Sequence, residues 1–357
     1  MPNLKNLRPL LLLPAAVVTT LLAGCNTVVM NASGDVASQQ GRLIVVSTVL
    51  MLLIIIPVIL LTLFFAYKYR QSNTAADYQP DWDHSTALEL IIWSAPLLII
   101  IALGAITWIS THVLDPYRPL QRIDAQRTVA YRAKTLEVQV VALDWKWLFI
   151  YPEQGIAVVN EMAAPVDMPI DFKITASSVM NSFFIPALAG QIYAMPSMET
   201  QLHAVMNKPG VYDGFSANYS GAGFSGMRFK FHGTTQADFD AWVAKVKAEG
   251  KVLNRADYLK LEQPSERDPV QYFSGVDKSL YAAILNRCVD SSKMCMNKMM
   301  AIDSKGLGST AGYRVAANET ATSGQSRRPF VEAPLCTVDN PQGLPRALPN
   351  VLATSAE

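Results

Sequence analysis

TLEVQVVALDWKWLFIYPEQGIAVVNEM, residues 135–162, is the stretch on which the fold turns. Leu136, Val138 and Val140 alternate with Glu137 and Gln139, the period of two expected of a strand with one wet face. Similar short segments follow: PIDFKIT, METQLHAVM, VYDGFSA and GMRFKFH, with Pro152, Gly155, Pro165, Pro196, Pro209 and Gly210 as punctuation. Short strands with turn residues at this rhythm predict an all-β sandwich or barrel, placed here at 124–232. Periodicity alone does not separate a cupredoxin from an immunoglobulin-like sandwich.

Upstream of the sandwich the text changes to membrane language. Half the residues are apolar and the formal net charge is +1, a balance that points to a membrane protein with a water-exposed domain and away from nucleic acid. Residues 1–24 read as an export signal, with Lys5 and Arg8 as the basic region and Leu10 to Leu22 as the apolar core. Leu22-Ala23-Gly24-Cys25 resembles the lipobox of bacterial lipoproteins, which implies cleavage before Cys25, its acylation, and a lipidated segment at 25–41. The alternative, a third spanning helix, has an apolar run only 13 residues long, against the roughly 20 that a crossing needs.

Leu43 to Tyr67 and Leu90 to Leu114 are each free of charge for 25 residues, roughly 37 Å of helix at 1.5 Å per residue. They predict transmembrane helices at 42–68 and 88–114, with Pro57 and Pro96 inside them and Trp93, Trp108, Tyr67 and Tyr69 toward the interfaces. Export of Cys25 then leaves the 69–87 loop in the cytoplasm and the large domain in the periplasm, with Lys68 and Arg70 agreeing with the positive-inside tendency.

Two loops in the exported domain carry the chemical content: VMNSFFIP, Val179 to Pro186, and SANYSGAGFSGM, Ser216 to Met227. They resemble the copper-ligand loops of subunit II of the haem-copper respiratory oxidases, whose pattern reads roughly VxHSFxxP and CxExCGxxHxxM. LDWKWLFIYPEQGI and IYAMPSMETQLH are similar to other parts of the same subunit. The resemblance resolves the sandwich as cupredoxin-like. Laid on that pattern, the first histidine is Asn181, the two cysteines are Ser216 and Ser220, the second histidine is Phe224, and Met227 alone is retained. Copper in an electron-transfer site takes thiolate and imidazole donors; serine hydroxyls stay protonated and a phenyl ring has no lone pair. His203 and His232 stand far apart in sequence, without ligand spacing around either.

With those ligands lost, the resemblance implies subunit II of a quinol oxidase of the cytochrome bo type, which moves electrons from ubiquinol to oxygen. This chain then holds no metal or redox cofactor and no catalytic residue. The haems and one copper are expected in subunit I, the main partner, with subunits III and IV beside it. Trp145 and Trp147 are expected to pack structurally rather than to admit electrons. Glu89 opens the second apolar run, and the spacing Glu89, Trp93, Pro96 resembles the segment whose glutamate stands at a proton entrance in the family. An acidic residue in a helix's first turn also has a simple dipole role. Two rivals are a cytochrome c oxidase subunit II, which would need copper, and a stand-alone lipoprotein whose sandwich binds a periplasmic partner.

Residues 233–305 are expected to form a helical extension: Thr235 caps a helix with Phe239, Trp242, Val243 and Val246 on one face, Gly250 ends it, and a second covers Lys278 to Val289. Cys288, Cys295 and Cys336 leave one thiol unpaired in an exported domain. Met294, Met296, Met299 and Met300 surround Cys295, and a disulfide or a packed methionine surface is favoured there over a Cu(I) site. The composition of 306–357 points to a tail without a fixed core.

Overall fold

Asn160 divides the opening stretch between two sheets. Its φ of 58° is one that asparagine tolerates better than most residues, and its side chain fixes the bend: Oδ1 accepts from the Trp147 N–H at 2.9 Å and Nδ2 donates to the Asp268 carbonyl at 2.9 Å. IAVVNEM, one segment in the alternating pattern, therefore becomes two strands, β3 (Ile156–Val159) and β4 (Glu161–Pro165), on different sheets. The computed structural model describes residues 27–77, 79, 81–130 and 133–304. The expected export signal, Cys25, Cys336 and the 306–357 tail lie outside them.

The other strands of the sandwich are β1 (Leu136–Leu143), β2 (Lys146–Tyr151), β5 (Pro169–Ala176), β6 (Asn181–Phe184), β7 (Ile192–Ala194), β8 (Thr200–Val205), β9 (Gly210–Ser216) and β10 (Arg228–Thr234). One sheet runs β12-β3-β2-β1-β5-β8, where β12 is Gln271–Phe273, and the facing sheet runs β4-β10-β9-β6-β7. Between them lies an aromatic centre of Trp147, Phe149, Phe172, Phe183 and Phe229, with Phe183 and Phe229 stacked at 5.5 Å. Tyr151 bridges the sheets: its hydroxyl donates to the Ala163 carbonyl and accepts from the Ala163 N–H, and burial pushes the phenol well above its ordinary pKa.

Every residue of β2 is buried, although a sandwich strand ordinarily keeps one face wet. The cause is the extension. Besides α3 (Gln236–Ala248), α4 (Arg255–Leu261) and α5 (Leu280–Leu285), it contributes β12 to the first sheet and the short pair β11 (Val252–Leu253) and β13 (Gly275–Val276). Tyr258, Leu261, Leu280 and Ile284 pack on the outer side of that sheet, against Val141, Leu148 and Ile150. Thr235 caps α3 by accepting from the Asp238 N–H, and Gly250 follows its end at φ 75°. The helix expected over Lys278 to Val289 is shorter, because Arg287 turns the chain at φ 53°.

Two helices precede the sandwich, each long and apolar enough to cross a membrane: α1 (Asp35–Lys68) and α2 (Thr86–Val113). The first begins before the expected residue 42, because Asp35, Val36, Ala37 and Gly41 are buried against other parts of the chain. Gly34 and Ser33 donate to the Ala187 carbonyl and the Asn207 N–H donates to Ser33. A Cβ on Gly34 would lie 2.5 Å from the Leu188 carbonyl oxygen, so only glycine fits that seam. Just past the end of α2, the Pro116 carbonyl accepts from the His203 N–H of β8 at 3.1 Å.

Candidate functional site

The two loops singled out in the sequence meet at one end of the sandwich. Asn181 begins β6 and Ser216 ends β9, the neighbouring strand, and both side chains are buried. The Ser216 hydroxyl donates to Asn181 Oδ1 at 3.0 Å, has the Asn218 carbonyl at 3.2 Å, and accepts from the Ser182 N–H at 3.4 Å. Asn181 Nδ2 donates to the Val179 carbonyl. The pair closes on itself, which is what neutral buried polar groups require.

The Ser220 hydroxyl is buried without a hydrogen-bond partner among the described residues, and its carbonyl accepts from Trp145 Nε1 at 2.9 Å. The Trp145 ring lies along the glycines of the loop, where a Cβ on Gly223 would come within 2.6 Å of it. Phe224 opens a 3-10 turn, Phe224–Gly226, and meets the exposed Tyr219 edge-on at 5.7 Å. Met227 is buried in the main core. One amide, two hydroxyls, one phenyl ring and one thioether do not make a donor set for a dinuclear copper centre, which takes thiolate and imidazole ligands. The histidines stand elsewhere: His203 on β8, 3.6 Å from Asp171, and His232 on β10, 3.6 Å from Glu161. Among the described residues no three His, Cys, Asp or Glu side chains group as metal ligands.

Trp147 packs inside the core and Trp145 packs partly buried against it. Trp147 is fully buried, edge-on to Phe183 at 5.4 Å and Phe229 at 5.8 Å. Glu89 lies in the first turn of α2, away from these loops, with its Oε1 2.7 Å from His84 Nδ1. Cys288 and Cys295 form a disulfide at the end of the extension.

Three polar constellations were not apparent from the sequence. Arg122 forks onto the buried carboxylate of Asp35 with bonds of 2.8 and 3.0 Å. Lys146, fully buried on β2, donates to the Gln263 carbonyl and the Ser265 hydroxyl and lies 3.0 Å from Asp268. Burial pushes the Asp268 carboxyl up, but the Ser265 hydroxyl and the Lys146 ammonium outweigh it and hold the group below its ordinary pKa. Glu161 accepts from both Trp242 Nε1 and the Tyr272 hydroxyl at 2.9 Å and so pins the extension to the facing sheet. Burial and the Glu161 carboxylate push the Tyr272 phenol up to about 12. A lysine inside an apolar strand is the one signal in the sequence that asks for such a partner.

Residues 136–233 match the family model described as cytochrome c oxidase subunit II, periplasmic domain, and residues 247–292 match the COX aromatic rich motif. The chain is 52% identical over 267 residues to the cytochrome bo(3) ubiquinol oxidase subunit 2 of Pseudomonas putida, covering 75% of this chain and 82% of that one. This chain belongs to the cytochrome bo(3) ubiquinol oxidase subunit 2 family. The protein of the same name from Pseudomonas aeruginosa is 52% identical over 75% of this chain and 78% of its own length. The ubiquinol oxidase subunit 2 of Acetobacter aceti is 52% identical over 74% and 84%. The chain is therefore subunit II of a haem-copper oxidase, and its two apolar helices and periplasmic-type domain fit an inner-membrane protein. The family expected from the sequence is borne out.

Proposed function

We propose that this chain is the copper-free, non-catalytic subunit of a proton-translocating oxidase that takes electrons from ubiquinol in the membrane and reduces oxygen to water. The observation that carries the reading is the Asn181–Ser216 hydrogen bond, a neutral amide and hydroxyl bonded to each other at positions where the family pattern has imidazole and thiolate. With no electron relay on the exported side, a soluble donor has no entry here, and a membrane-borne quinol must deliver electrons elsewhere in the complex. The haems and the remaining copper are assigned to subunit I, with subunits III and IV completing the assembly. In this reading α1 and α2 span the inner membrane, the loop between them is cytoplasmic, the sandwich is a periplasmic cap, and Cys25 carries a lipid after removal of residues 1–24.

Metal analysis of the purified complex tests it. One copper per two haems is expected, together with ubiquinol oxidation and no direct oxidation of cytochrome c. Three coppers per complex, or rapid reduction by cytochrome c, would overturn the assignment.

Glu89 is proposed as a proton entrance, supported by its place at the start of α2 and by its half-exposed contact with His84. Glu89→Ala is expected to slow ubiquinol-driven turnover while leaving haem content intact. Unchanged turnover in a fully haem-loaded variant removes the role and leaves only favourable placement near the helix dipole.

A further inference from the structure

The two apolar helices leave a crevice between them where they approach the sandwich. Its volume is about 380 Å³, with Leu43 and Val46 of α1 on one wall and Ile106, Ile109 and Val113 of α2 on the other. From Ile106 to Val113 the wall covers eight residues of helix, about 12 Å of depth at 1.5 Å per residue. The crevice shares Gln39, Val113, Leu114 and Arg122 with a more polar chamber of about 190 Å³ between the sandwich and the end of α2, lined also by Asp35, Asp115 and Arg118. An apolar slot thus runs directly into one that carries charged side chains, at the level where the charge-free run of α1 begins.

Charge settles which amphiphile suits the pair. Arg42 is exposed at the mouth and makes no ion pair or hydrogen bond among the described residues. Arg122 spends two donors of its guanidinium on Asp35, which leaves Nη1 without a partner there. Arg118 also lines the chamber and donates to the His112 carbonyl at 3.2 Å, while Asp115 accepts from the Tyr117 N–H. Arg42 and Arg122 line the crevice and Arg118 the chamber, and against Asp35 and Asp115 these three arginines leave one net positive charge. Arginine presents planar donors that match phosphate oxygens, and cationic side chains at the bilayer surface attract anionic headgroups.

We propose that this crevice is a binding site for one anionic phospholipid of the periplasmic leaflet, its phosphate held by Arg42 and Arg122 and one acyl chain laid between α1 and α2. The proposal rests on the membrane-spanning placement of the two helices given above. The lipid completes a surface that the hairpin leaves open, and it seats the helix pair beside the bonds that tie the ends of both helices to the sandwich.

The whole oxidase complex, purified in mild detergent, tests this by native mass spectrometry and by phospholipid analysis per haem. The wild-type complex should retain one phosphatidylglycerol more than Arg42→Gln or Val46→Trp, while Lys68→Gln at the other end of α1 matches the wild type. After delipidation, the affinity for added dioleoylphosphatidylglycerol should fall about fivefold in Arg42→Gln. Equal retention in all four proteins overturns the site, as does a photoreactive side chain at Ile109 that cross-links to the catalytic subunit, because a partner helix then fills the crevice. Arg42→Gln alters an exposed side chain and reads the site independently of Val46→Trp. Haem content in the same samples separates the two readings: a haem-free protein breaks the functional assignment, whereas a haem-loaded complex with unchanged lipid breaks only this site.

Discussion

Beneath the extension and in the ligand loops, the domain buries polar side chains by opposite means. At Lys146 a full charge is sealed between sheet and extension, and three acceptors answer its three N–H groups: the Gln263 carbonyl, the Ser265 hydroxyl and the Asp268 carboxylate. At Asn181 and Ser216 no charge is present, and two neutral side chains satisfy each other and the nearby backbone. A charge out of water is costly whenever a partner is lost, whereas a neutral group costs only its own desolvation. The extension is therefore locked on by an interaction that fails abruptly, and the loops are closed by one that fails mildly.

Lys146→Met should expose that difference most. It leaves Asp268 without its cation, but the carboxylate is 19% exposed and recovers some water. We therefore expect a loss of about 2–3 kcal/mol, toward the low end for a broken buried pair, read as a fall of about 5–10 °C in the thermal midpoint of the purified protein. The pH dependence shifts with it. In the native fold Asp268 titrates below its ordinary value, so its contribution is complete above the ordinary carboxylate range and is lost only as pH falls through the lowered value. In the variant that protection is gone, and acid should no longer remove an Asp268 contribution. A midpoint and acid profile matching the parent would mean that the extension is held by its apolar contacts alone.

Arg122→Met tests a charged lock of intermediate exposure. Among the described residues, buried Asp35 keeps only Gln39 as a side-chain partner once the guanidinium is gone, but Arg122 itself is 37% exposed, so solvent already screens the pair. About 1–2 kcal/mol is expected, and limited proteolysis between residues 114 and 135 should accelerate because the linker loses its anchor to α1. An effect as large as that of Lys146→Met would show that exposure does not separate these two pairs.

The alternating strands, both apolar helices, the Thr235 cap and the ligand-loop outline were all legible in sequence, because each depends on residues near one another in the chain. The bend at Asn160 was not: asparagine marks many turns, and what commits this one is Asp268, over a hundred residues away. The early start of α1 was hidden for the same reason, since Asp35 to Gly41 look polar or small until the sandwich is there to cover them. The extension read as helical because β12 is only three residues long and becomes a strand by pairing with β3. In the candidate site the positions were legible, but their mutual hydrogen bonding required the β6–β9 register that brings Phe183 opposite Ser216.

Ser216→Ala is the gentlest of these changes and the one that most sharpens the contrast. It removes the hydroxyl that donates to Asn181 and leaves the amide oxygen buried with one partner fewer, an expected cost of about 1 kcal/mol, or roughly 2–4 °C in the midpoint. No charge is stranded, so the pH profile should keep the parent's shape, and haem content and ubiquinol turnover should be unchanged if the loops carry no electrons. Lost turnover with intact haem would be incompatible with a passive loop end. It would place a functional demand on the Asn181–Ser216 pair that simple closure of a polar pocket does not make.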